Sequence, residues 1–140
     1  MGAFLLEKIM PLIIQKEWFT KEQIKANPDV WFVFGDNEMR QGTGGQAKPC
    51  RGEPNTIGIR TKRKPRTDPS AYWHDDTYED NILMIDDDFS SVEGFLENGD
   101  TVIFPEDGFG TGLALLKDNA PKTLEYINTW IEYLVNQYCE

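Results

Sequence analysis

The sequence is poor in cysteine and histidine: two cysteines and one histidine in 140 residues. Cys50 and Cys139 are too few for a disulfide scaffold and stand at no metal-ligand spacing, so reduced thiols in a cytoplasm are expected. His74, between Trp73 and Asp75, has no second histidine and no cysteine near it, so no metal site is expected. No serine stands in a nucleophile setting, which leaves a catalytic triad unsupported. Long apolar runs are also missing. None reaches the roughly 18 residues of a membrane span. Met1 to Ile14 is mildly apolar but is interrupted by Glu7, Lys8 and Pro11, and no small-residue cleavage site follows, so a signal peptide is not expected. Positive charge is scarce as well. Fourteen Lys and Arg face 24 Asp and Glu, for a net charge of -10, which argues against direct non-specific binding to nucleic acid or to an anionic membrane.

What is present is a globular composition: 39% hydrophobic and 12% aromatic residues, in a length that suits one domain, 1–140, with a core of its own. The few cations are unevenly placed. Eight of the 14 lie between Arg40 and Arg66, so an anionic ligand would be steered to one place.

Apolar runs and turn signals divide the chain. Pro11 to Trp18 reads as a strand, and Thr20 as the N-cap of a short helix to Ala26. Val30 to Phe34 reads as a strand covered on both faces. A loop with Gly35, Asp36, Asn37, Gly42, Gly44 and Gly45 follows, with a short helix near Gly45 that carries Gln46 and Ala47. Pro54 to Ile59 reads as the next strand, ending in the basic cluster Arg60-Thr61-Lys62-Arg63-Lys64. Arg60 to Asp80 reads as a long polar loop. Asn81 to Ile85 fits either a strand or the first turn of a helix, Asp86-Asp87-Asp88 a carboxylate-rich helix start, and Ser90 to Glu97 a helix. Thr101 to Pro105 reads as a buried strand, followed by a second glycine loop, Asp107-Gly108-Phe109-Gly110-Thr111-Gly112. Leu113 to Leu116 gives one helical turn. Pro121 then opens an amphipathic helix to Tyr138, with Leu124, Ile127, Ile131, Leu134 and Val135 on one face. The alternation predicts an α/β/α sandwich of three layers with a mixed central sheet, in which both glycine loops leave the same edge of neighbouring strands.

Glycine loops at strand ends let backbone N–H groups approach a diphosphate. The first loop is equally a long turn, with Asp36 as an Asx-turn or cap. It is neither a Walker A loop nor a dinucleotide fingerprint. In the second loop Phe109 fits stacking on a base or ribose, or packing. Of the basic cluster, a lysine beside Arg63 has the surroundings that favour an amine nucleophile or a phosphate partner; a solvated basic loop is the alternative.

In order, Phe34-Gly35-Asp36-Asn37, Gly42-Thr43-Gly44-Gly45-Gln46-Ala47, Ile59-Arg60-Thr61-Lys62 with Pro65, and Pro105 followed by Gly108, Gly110, Thr111, Gly112 and Leu113 resemble the macrodomain fold. The resemblance is nearest to the branch of terminal ADP-ribose glycohydrolases and DNA-ADP-ribose-removing antitoxins, and it spans most of Val30 to Tyr133. It implies that Lys62 is the lysine that attacks the anomeric ribose carbon. It further implies that Asp36 or Asn37 contacts the adenine or distal ribose region, and that the glycines of both loops, with Gln46, Thr61, Phe109 and Leu113, hold ADP-ribose. Two departures stand out. Ala114 occupies the place of an assisting aspartate, for which Asp107 or Asp36 is the substitute, and Gly-Asp-Asn replaces the usual Asn-Ala-Ala-Asn. The expected function is binding of ADP-ribose or a related NAD-derived nucleotide, free or on a modified macromolecule, with hydrolysis of ADP-ribosyl linkages and with no cofactor. The alternatives are a non-catalytic reader or sponge for a nucleotide signal in a bacterial or phage defence setting, and an acidic protein that blocks a partner.

Overall fold

The computed structural model describes residues 11–106 and 114–138. The described strands are β1 (Leu12–Gln15), β2 (Val30–Asn37), β3 (Thr56–Lys62) and β4 (Thr101–Pro105). The helices are α1 (Lys21–Ala26), α2 (Ala47–Cys50), α3 (Tyr78–Glu97), α4 (Leu116–Asn119) and α5 (Pro121–Tyr138), with 3₁₀ turns at Pro69–Ala71 and Asp75–Thr77. The strands form one sheet in the order β1-β4-β2-β3. This is an α/β fold.

The sheet differs from the expected mixed one: every strand pairing among the described residues is parallel. The reason lies in the connections. A helix stands between each strand and the next, and each crossover returns the chain to the end it started from. The antiparallel contact that remains is an isolated bridge between Lys62 and Tyr72.

Side-chain alternation along β2 divides the core in two. Val33 faces Ile85, Phe89, Val92 and Leu96 of α3, with Leu116, Ile127 and Leu134 in the same cluster. Phe32 and Phe34 face Phe19, Ile24, Ala47 and Cys50. Phe89 is the centre of the first cluster. It is fully buried and stacks on Phe104 and Trp130, with ring centroids 6.2 and 5.3 Å away. Core packing therefore accounts for Trp130; Cys139 lies outside the described residues.

Local chemistry sets several boundaries. The Thr20 hydroxyl accepts the Gln23 amide at 3.0 Å, which caps α1. Pro121 opens α5, where a missing N–H costs nothing. Buried Asn55 uses its amide nitrogen to bond the carbonyls of Ile24, Asn27 and Val30 at 3.0 to 3.1 Å, tying the end of α1 to the start of β2. The first strand is shorter than its apolar run, ending at Gln15. Two other segments differ in kind. Gly35-Asp36-Asn37 is not loop but the end of β2, paired with Ile59, Arg60 and Lys62 of β3 across a register shift. Asp86, Asp87 and Asp88 do not start a helix; they lie in the middle of α3, which begins at Tyr78 inside the expected polar loop. Among the described residues no helix is long and apolar enough to cross a membrane.

This topology positions a crevice. β2 and β4 are parallel neighbours, so both strands end on the same side of the sheet. After β2 the chain passes to α2, which packs with Phe34; after β4 it passes to α4 and α5, which pack with Val33. The helices that follow the two strands thus pack in different clusters, with Val33 and with Phe34, and open α/β sheets hold their ligands where such helices diverge.

Candidate functional site

A cavity of about 680 Å³ opens at this end of the sheet, within the range of small-molecule sites. Gly35, Asp36, Asn37, Gly42, Gly44, Gly45, Gln46, Thr61 and Lys62 all line it. Residues that the sequence spreads over 28 positions thus converge on one cleft. Asp107, Gly108, Phe109, Gly110, Thr111, Gly112 and Leu113 lie outside the described residues. Ala114 reaches the cleft wall, and Trp18, 59% exposed, stands at its rim.

Asp36 is buried, and its carboxylate is already occupied. Arg51 donates to it through both terminal nitrogens, at 3.0 and 2.6 Å, and Arg40 through one at 3.3 Å. Its own neighbour's amide, Asn37 N–H, donates at 2.8 Å. A carboxylate held by two guanidiniums and an amide is an anchor rather than an open base. Gly58 is what lets it sit there. A Cβ on Gly58 would lie 2.6 Å from Asp36 Oδ2 and 2.9 Å from Arg40 Nη1.

The glycine segment is fixed by named contacts. The Asn37 side chain donates to Gln41 O and accepts from Met39 N–H, closing the turn after β2. Gly42, at φ +95°, packs so closely on Pro65 that a Cβ there would come within 2.8 Å of its ring. The Gln46 side chain is buried and accepts from Phe19 N–H. Thr61, also buried, donates its hydroxyl to Asp36 O.

Lys62 ends β3 and lines the cleft. Nζ donates to Arg66 O at 2.9 Å and lies 4.5 Å from the centre of the Tyr72 ring. Burial pushes its pKa below the ordinary lysine value, against the opposing pull of the Asp68 carboxylate. More of this amine is therefore neutral near pH 7 than of a free lysine, which is what a nucleophilic amine needs. The rest of the basic cluster behaves differently. Arg60 donates to Asp88 and Asp87 on α3, and Arg66 pairs with Asp68. The His74 ring bonds Pro69 O, away from the cleft. Cys50 is buried, and burial raises its thiol pKa to about 12, so it is an inert core thiol.

Two arginines and an aspartate that carry no local motif organise this site. Arg51 holds Asp36 and two loop carbonyls. Arg40, itself at φ +55°, spans Asp36, Gly58 O and Asp88. Asp88 also accepts from the Arg60 backbone N–H at 2.7 Å, capping part of the outer edge of β3. Their partners lie 4 to 48 residues away in sequence, at spacings that form no short pattern.

Residues 14–130 match a family described as a family of unknown function, DUF7831, and the chain belongs to that family. No curated protein and no solved structure matches the chain.

Proposed function

We propose that this protein is a macrodomain-like three-layer sandwich that binds ADP-ribose or a closely related NAD-derived nucleotide in the cleft at the carboxyl ends of β2 and β3. One observation carries the reading: the glycine segment after β2 and Lys62 at the end of β3 line the same cavity, at the sheet end where α/β folds take phosphate-bearing ligands. The cavity volume suits a nucleotide. The glycine segment supplies backbone amides for a diphosphate, and Lys62 supplies an amine whose charged form is disfavoured by burial.

The same geometry suits removal of ADP-ribose from a target. The neutral Lys62 amine forms a bond to the anomeric ribose carbon as the bond from that carbon to the target's oxygen or nitrogen breaks. The proton from the amine ends on the departing group. The ribose ring opens to an imine on Lys62, and water then cleaves the imine to give free ADP-ribose and the original amine. Asp36, tied to Arg51 and Arg40, orders the loop in this scheme and leaves the proton transfer to other groups.

Ala114 supports a second reading. It lines the cleft where the resemblance would place an assisting carboxylate, which favours a reader that binds the nucleotide without turnover.

Calorimetry with ADP-ribose, AMP and NAD tests the binding. The expected result is micromolar uptake of ADP-ribose that Gly44→Glu abolishes; no heat from any of the three nucleotides refutes it. Incubation with an ADP-ribosylated substrate, with borohydride to trap the imine, then separates the two readings. A wild-type adduct absent from Lys62→Ala supports turnover, and binding with neither adduct nor release supports the reader.

A further inference from the structure

Arg51 lines the cleft, yet its donors face the protein. Nε donates to Gly42 O at 2.9 Å and one Nη to Gln41 O at 3.0 Å, while both Nη atoms hold Asp36. Four of the five N–H groups of a guanidinium are thereby used. The Phe34 ring lies under its plane, 5.5 Å from Cζ. What remains is at most one donor for a ligand.

The effect on the loop is one-sided. The carbonyls of Gln41 and Gly42 accept from Arg51, and those of Gly44, Gly45 and Gln46 accept from Ala47, Lys48 and Cys50. The amides of the same stretch, Gln41 to Gln46, donate to no described residue. In each peptide unit C=O and N–H point in opposite directions. The pinned carbonyls of Gln41, Gly42, Gly44 and Gly45 therefore turn the next amides, those of Gly42, Thr43, Gly45 and Gln46, the opposite way.

We propose that Arg51 is the positioning residue of this cleft: its planar fork, anchored on Asp36, pins the carbonyls of Gln41 and Gly42, which turns the Gly42 and Thr43 amides the opposite way and orders residues 43–46 so that the loop's amides meet the ligand's phosphates. The inference rests on the anionic nucleotide of the preceding section, but its device is distinct from it. Anion recognition is through the backbone, and Arg51 acts by shape rather than as the ligand's counter-ion. Lysine keeps the charge and lacks the fork, so it cannot replace Arg51.

Two measurements test this. In calorimetry with ADP-ribose, Arg51→Lys is expected to weaken binding about tenfold or more, the loss of at least one charge-assisted contact's worth of order; affinity within about twofold of wild type overturns the proposal. Nitrogen-15 NMR of the wild-type protein gives a readout that needs no variant. On addition of ADP-ribose or inorganic pyrophosphate, the amides of residues 43–46 are expected to shift while the Arg51 Nε–H signal stays in place. An Arg51 signal that moves with the loop amides unmoved makes Arg51 a direct ligand and refutes the positioning role. If ADP-ribose and pyrophosphate shift nothing, the nucleotide reading fails. The positioning role is then still decided in the ligand-free state, where Arg51→Lys is expected to displace or broaden the amide signals of residues 41–46 in an otherwise unchanged spectrum. An unaltered set of those signals overturns it.

Discussion

Gly58→Ala is the substitution with the clearest structural magnitude. Gly58 has no left-handed backbone that would demand glycine, so in open space alanine would stabilise the fold by about 0.4 to 1 kcal/mol through the unfolded chain. The space is not open. The new methyl would sit 2.6 Å from Asp36 Oδ2, 2.9 Å from Arg40 Nη1 and 2.9 Å from Asp36 Cβ. Asp36 cannot swing aside without giving up the two-pronged pair with Arg51. Overpacking of this kind costs about 1 to 3 kcal/mol, and weakening one charge-assisted hydrogen bond adds about 1.5 to 3 kcal/mol. After the entropic gain is subtracted, the expected net loss is about 2 to 5 kcal/mol. With a urea slope of about 1.5 kcal/mol per molar, the midpoint should fall by about 1 to 3 M. Gly94→Ala is the matched control. Gly94 is exposed on α3 with nothing within 4 Å of its added methyl, so alanine there should raise stability by up to about 1 kcal/mol. Urea unfolding followed by circular dichroism reads both variants. A Gly58→Ala protein as stable as wild type, at unchanged slope, would refute the claim that this contact clamps Asp36.

Three further outcomes concern Asn55 and Lys62. Asn55→Ala removes an amide that bonds three backbone carbonyls, and should lower stability by about 2 to 3 kcal/mol in the same unfolding assay, with loss confined to about 0.5 kcal/mol counting against that role. The carbon-13 signal of the Lys62 ε-methylene should titrate below the ordinary lysine value of about 10.4, and a midpoint at or above it contradicts the burial argument. The sign for stability follows: the folded protein disfavours the charged amine, so the penalty is present at pH below the folded pKa. Stability contributed by Lys62 then rises as pH climbs from the folded toward the unfolded value, and Lys62→Met should remove that rise.

Much of the fold is legible in the sequence where one local signal dominates. The apolar runs at Val30 and Thr101, the Thr20 cap and the Pro121 start each appear in the structure where the residue types put them. The misreadings occur where a distant partner overrides a local signal. Gly35-Asp36-Asn37 has loop composition but stays extended because β3 pairs with it. The acidic run of α3 sits mid-helix because Asp88 is paired with Arg40 and Arg60, and Asp86 accepts from Tyr126 and Trp130. At the site, Lys62 and the glycines are visible as types at strand ends. Arg51 is not, since its importance lies in the two carbonyls and one carboxylate it joins in space.

The central claim is that a nucleotide diphosphate occupies the cleft between the glycine segment and Lys62. The most direct measurement is a titration of the nitrogen-15-labelled protein with ADP-ribose, following every backbone amide. Saturable shifts are expected at residues 35–37, 41–47, 61–62 and 66–67 and at Ala114, which line the cavity. Shifts grouped on α3 and α5 instead, or a spectrum unchanged at millimolar ADP-ribose, would contradict the claim.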